Sequence, residues 1–114
     1  MREFDLEKRT TEFAKAVIRM CKKLIRNPMN DRLVGQVVGS SGSVGANYRE
    51  ANDALGKKDF IQRMKISRRE AKESLHWLEL ISEANRNRES EIKVLVKEAD
   101  ELKKILSSII DKVQ

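Results

Sequence analysis

Few residues in this chain have the types needed for acid–base or metal chemistry. His76 is the one imidazole, and Glu73 stands three residues before it, a single turn away on a helix. A Glu-x-x-His pair is half of what a di-iron or di-manganese bundle requires, and there is no second histidine to complete the set. The pair reads as a surface or interface histidine beside a structural glutamate, and no metal site is expected. Serines are plentiful, but a nucleophilic serine needs a base and an acid to orient it, and His76 is the only imidazole on offer. Cys21 is the single cysteine and lies in an apolar helical stretch with no histidine nearby in sequence. That setting suits a small buried hydrophobe rather than a reactive thiol. One thiol makes no internal disulfide and fits a reducing compartment. Neither catalysis nor a cofactor is expected.

Phosphate contact is the chemistry the charges favour. The formal net charge is +6, a balance that attracts nucleic-acid backbones or acidic partners. Lys15, Arg19, Lys22 and Arg26 fall on one face of a predicted first helix, with Lys23 alongside. No acidic residue lies between positions 15 and 26. Arg63, Lys65, Arg68, Arg69 and Lys72 form a second cluster, interrupted only by Glu70. Two readings stay open for such runs: solvated helix faces, or a phosphate-contacting surface carried by Lys15, Arg19, Lys22, Lys23, Arg26, Arg63, Arg68 and Arg69. No aromatic residues interleave the cations, so base stacking is not expected and recognition rests on shape and charge.

The elements that position these residues are helices. A chain of 114 residues is one domain, residues 1–114, with enough length to bury a core unaided. Apolar residues at 39% and charged residues at 37% suit helices with one apolar stripe and one solvated face. A first helix is predicted from about Asp5 to about Arg26. Phe13, Val17, Met20 and Leu24 form its stripe, widened by Ala14, Ile18, Cys21 and Ile25. Asn27-Pro28 stops it. A second helix starts near Asn30 or Asp31 and carries Val34, Val37/Val38, Ser41, Val44, Tyr48 and Ala51 inward. Gly35, Gly39, Gly42 and Gly45 fall inside it, so a loop over residues 39–43 is the rival reading. The glycines recur at helical spacing, where small residues let a neighbouring helix approach. A third helix from about Lys58 to Ala84 buries Phe60, Met64, Ser67, Ala71, Ser74/Leu75, Leu78 and Ile81. A fourth, starting near Ser90, repeats Ile92, Leu95/Val96, Ala99, Leu102, Leu106, Ile109 and Val113 in an a/d pattern. Four helices with short connections predict an all-α, antiparallel up-down-up-down four-helix bundle. No stretch has the length of a membrane span, and Met1-Arg2-Glu3-Phe4-Asp5 has no apolar signal core. A cytoplasmic location is expected.

A second stripe runs along the third helix: Ile66, Glu70, Glu73, Trp77 and Leu80 at three–four spacing. It is either the margin of a wide core face or a subunit interface, in which its carboxylates would need cationic partners. Asn47 and Glu50, one turn apart beside an inward Tyr48, are either a buried hydrogen-bonded pair fixing helix register or an exposed pair.

Two segments resemble family signatures. Ser43-Val44-Gly45-Ala46-Asn47-Tyr48-Arg49-Glu50-Ala51 is similar to a Ser-hydrophobic-x-x-Asn-hydrophobic-x-Glu-Gly motif. The stretch from Glu70 through Ala71, Glu73, Ser74 and Trp77 to Leu78 is similar to a Glu-Ala-x-Glu-Thr/Ser-x-x-Trp-Leu motif. Together they resemble the intervening-sequence proteins of 23S ribosomal RNA, also called S23 ribosomal proteins, across nearly the whole chain. Ala51 stands where that family usually has glycine, and Gly39 where arginine is common. The resemblance implies a homopentameric ring of bundles, no catalytic activity and RNA as the usual suggested ligand. More distantly the chain is similar to accessory proteins of diversity-generating reverse transcriptases. Those are basic pentamers that engage the transcriptase and nucleic acid. By position, Asn47, Glu50, Glu70, Glu73 and Trp77 are the signature residues, with structural or interface roles. Ile66 and Leu80 extend the interface stripe. An RNA- or ribonucleoprotein-binding oligomer is therefore expected, with a protein-binding adaptor as its rival. A metal- or thiol-dependent enzyme would rest on His76 or Cys21 alone.

Overall fold

Asp5 starts the first helix. In the computed structural model, which describes residues 5–114, its carboxylate accepts a hydrogen bond from the Lys8 amide at 3.1 Å. This cap satisfies one of the free amides that every helix start leaves. Residues 1–4, on which part of the reading of the N-terminus rests, lie outside the described residues. Helix α1 spans Leu6–Cys21. It ends about five residues before the expected Arg26, because the ladder tightens. The Lys22 amide bonds to Ile18 four residues back, but those of Lys23 and Leu24 bond only three back, to Met20 and Cys21. Leu24 still turns inward and is buried, whereas Ile25 is 75% exposed.

Helix α2 spans Pro28–Asn52. It begins earlier than Asn30 because Asn27 is its cap, accepting from the Asn30 amide at 2.7 Å. Pro28 occupies the first helical position, where its missing N–H costs nothing. The helix is continuous through all four of its glycines, with no residue of positive φ, so the loop over 39–43 is excluded. The glycines do not act alike. A side chain at Gly45 would meet Thr10 Oγ1 at 2.9 Å, so this one admits α1. A Cβ at Gly35, Gly39 or Gly42 would meet nothing within 4 Å, so these three do not serve close packing within the chain. Serines carry the contact with the next helix. Ser67 Oγ donates to the Val44 carbonyl at 2.7 Å, and Ser74 Oγ lies 2.9 Å from Ser40 Oγ.

Helix α3 spans Lys57–Ala84, a 3-10 turn covers Arg86–Arg88, and α4 spans Glu89–Val113. The described residues are thus all-helical, with four α-helices and no strand. Each helix packs on its neighbours in sequence, and α1 also meets α4, while the α1 and α3 backbones do not approach each other closely. The described chain measures 45 × 27 × 18 Å. Its core runs through Phe13, Val17 and Met20, through Val37 and Val44, through Met64, Ala71 and Leu78, and through Ile92, Leu102 and Leu106. Ile18 and Val38, expected on inward stripes, are 44% and 37% exposed, and one position of α4 also differs from expectation. Ile110, not Ile109, is the buried residue near the end of α4, because a straight helix drifts relative to a seven-residue repeat.

Two polar pairs tie the ends. Arg9 of α1 grips Glu98 of α4, donating from Nε and Nη2 to its two carboxylate oxygens at 2.7 and 2.9 Å. At the opposite end Asn30 and Asn85 exchange reciprocal amide hydrogen bonds of 3.0 and 2.9 Å. Each amide nitrogen also donates to a carbonyl, that of Ile25 or of Ile81. Both asparagines are buried.

Candidate nucleic-acid interface

The cations divide by what they face. On α1, Lys15 and Arg19 sit on the side opposite the core, and Lys22 continues that side as the C-terminal cap. Lys15 lies 3.5 Å from Glu12. The side chains of Arg19 and Lys22 have no carboxylate or hydrogen-bond partner among the described residues. Lys23 and Arg26 do not continue the stripe, because the helix has ended. Lys23 binds Glu91 of α4 at 2.7 Å, and Arg26 binds Asp31 at 2.7 Å. The single basic face expected from Lys15 to Arg26 is therefore a shorter one, carried by Lys15, Arg19 and Lys22.

The second cluster is also rearranged. At about 100° per residue, Lys65, Arg68, Arg69 and Lys72 share one side of α3 while Arg63 points elsewhere, toward Asp59 at 3.8 Å. Arg69 lies 3.9 Å from Glu70, and Arg68 reaches Ser107 of α4 at 3.4 Å. Lys65 and Lys72 are exposed and have no partner among the described residues. The two patches lie on helices whose backbones do not approach each other closely in one chain. Sequence reasoning weighted Arg63 above Lys65 and Lys72. Asp59, four residues before Arg63, was the available signal that Arg63 is neutralised.

The signature residues form a different surface. Asn47 is half-buried and donates to the Ser43 carbonyl at 2.9 Å, while Glu50 is exposed, so the two are not a buried pair. Ile66 and Trp77 are half-buried, Trp77 packs against the core, and Leu80 is 41% exposed. The stripe is thus both core margin and open face. Glu70 is largely sheltered, and burial, reinforced by the nearby Glu73 charge, raises its pKa above the usual carboxylate value. The folded chain therefore holds this proton more tightly than the unfolded chain. Its contribution to stability is present below the usual carboxylate range and is lost as pH rises through the raised value. Glu70→Gln should raise the melting temperature of dilute chain slightly at neutral pH and leave it unchanged at acid pH. Thermal melts at the two pH values check this.

His76 is exposed and stacks edge-on against Trp77, with ring centroids 4.9 Å apart. Burial pushes the Cys21 thiol up to about 11. Among the described residues, no group of three His, Cys, Asp or Glu side chains is placed to hold a metal ion, and no helix is long and apolar enough to cross a membrane.

Comparison with known proteins agrees with this architecture. The model of the family described as 23S rRNA-intervening sequence protein matches residues 2–108. A crystal structure from Bacteroides thetaiotaomicron, described as a protein of unknown function from the S23 ribosomal protein family, superposes with a TM-score of 0.84 at 30% identity. That match covers 93% of this chain and 98% of that one. No curated protein matches the chain. The match over nearly the whole length and the shared four-helix architecture place this chain in the 23S rRNA-intervening sequence protein family.

Proposed function

We propose that this protein is a non-catalytic, basic bundle that assembles into a homo-oligomeric ring, five copies by family resemblance, and binds structured RNA or a ribonucleoprotein through phosphate contacts in the cytoplasm. The observation that carries the reading is that the two basic patches present outward cations with no carboxylate partner in their own chain among the described residues: Arg19 and Lys22 on one patch, Lys65 and Lys72 on the other. Ion-paired cations gain little from a phosphate, because their charge is already offset; these four are not offset. The family's name, which refers to segments of 23S ribosomal RNA, points the same way. An up-down-up-down path is supported by contacts that run in opposite order along neighbouring helices. Along α2, residues 30, 40 and 44 meet residue 85, the cap of α3, and residues 74 and 67 within it. Residue 9 of α1 and residue 23 just beyond it meet residues 98 and 91 of α4.

A titration of a structured RNA over a series of salt concentrations tests the reading. Log affinity should fall linearly with log salt, by about 0.7–0.9 per phosphate contacted. Binding that ignores salt contradicts it. The second reading is an adaptor for a protein, such as a reverse transcriptase of the diversity-generating kind. Exposed Ile18, Ile25, Met29 and Val38 favour it. It predicts one protein partner retained after nuclease treatment.

A further inference from the structure

The α1–α2 side of the chain carries an open apolar groove of about 550 Å³, lined by Ile18, Cys21, Ile25, Val34, Gly35 and Val38. Ile18, Ile25 and Val38 are 44%, 75% and 37% exposed. Lys22 and Arg26 rim it, against a single carboxylate, Asp31, which Arg26 already holds. Gly35 and its neighbours Gly39 and Gly42 leave the outer surface of α2 bare, with open space where side chains would stand. On the other side of α2 lies the α3 stripe. It is apolar at Ile66, Trp77 and Leu80 and acidic at Glu70 and Glu73. Glu73 has no partner among the described residues, and Glu70 has only Arg69 at 3.9 Å. The groove is apolar with a positive rim, and the stripe is apolar with negative charge.

We infer that the α3 stripe of one copy seats in the α1–α2 groove of the next, so that copies join head to tail. The inference deepens the oligomer of the proposed function and rests on that reading. One copy cannot satisfy both faces itself, because they flank α2 on opposite sides, and the α1 and α3 backbones do not approach each other closely. Two different faces that complement each other make a heterologous interface, which continues from copy to copy until it closes as a ring. Charge complementarity selects a second copy over an unrelated partner: Lys22 at the groove meets Glu73, which has no partner among the described residues of its own chain, and Glu70, whose one cation stands 3.9 Å away. Phosphate contact in the assembled ring therefore rests on Arg19, Lys65 and Lys72. The same seating sets α1 of one copy beside α3 of the next. The two basic patches, carried by helices whose backbones do not approach each other closely in one chain, thereby become neighbours.

Two surface variants test this without disturbing the fold. Gly35→Glu fills the groove at a position where a side chain meets nothing within 4 Å. Leu80→Lys alters an exposed residue of the stripe. Both should keep the wild-type circular dichroism. At a concentration where the wild type is fully assembled, each variant alone should sediment as single chains, at least about tenfold weaker in assembly. Mixed in equal amounts they should form a species of two chains and nothing larger, since one carries an intact stripe and the other an intact groove. Either variant assembling like the wild type overturns the inference. So does a mixture that stays as single chains up to about a hundredfold higher concentration, or one that restores the full assembly. A wild-type chain that never assembles overturns it too, while leaving the RNA affinity and its salt slope to be judged separately.

Discussion

Asn30→Ala should lower the unfolding free energy by about 3 kcal/mol, since it orphans a buried amide as well as removing bonds. In the wild type, the two asparagines satisfy each other and two carbonyls, those of Ile25 and Ile81. Truncation leaves the Asn85 side chain buried with one partner lost and leaves the Ile25 carbonyl without its donor. For a domain of this size the melting temperature should fall by roughly 10 °C or more. Asn85→Ala should cost a similar amount. The double variant should cost clearly less than the sum, because each single change strands the same partner. Additive costs in urea unfolding would show that the pair is two independent bonds rather than one clamp between the start of α2 and the end of α3.

Replacing Arg19, Lys65, Arg68 and Lys72 together with glutamine should weaken RNA binding by about a hundredfold at moderate salt and flatten the salt slope by about three. Three of these have no partner among the described residues, and Arg68 has only the Ser107 hydroxyl at 3.4 Å. Lys22 is left intact because it also rims the groove. Lys23→Gln and Arg63→Gln make the comparison. Their charges already face Glu91 and Asp59, so together they should flatten the slope by less than about one. Equal effects from the two sets would mean that net charge, not a contact surface, governs binding.

Much of this was legible in the residues, and the exceptions share a cause. The apolar spacing of α3 and α4 named their buried faces almost residue by residue, because a helix repeats its environment about every 3.6 positions. Glycines at helical spacing in α2 were compatible with a helix, and tertiary packing kept it continuous. What spacing could not show was the reason for most of them: only Gly45 faces another helix of its own chain. The end of α1 was hidden because Lys22 to Arg26 continue the periodic pattern after the backbone has tightened and turned. Neutralisation of Lys23 by Glu91 spans 68 positions, and the Asn30–Asn85 clamp spans 55. Local pattern carries no trace of either. The basic face was therefore read as longer than it is, and the cations that stay unpaired were underweighted.

The most direct test of phosphate binding by an assembled ring is the mass of the protein in solution, measured by light scattering with and without a structured RNA at low and high salt. A ring-sized oligomer is expected under all conditions, gaining the mass of bound RNA at low salt and releasing it at high salt. An oligomer whose mass ignores RNA at both salt concentrations would contradict the phosphate-binding reading and leave the outward cations as solvated surface.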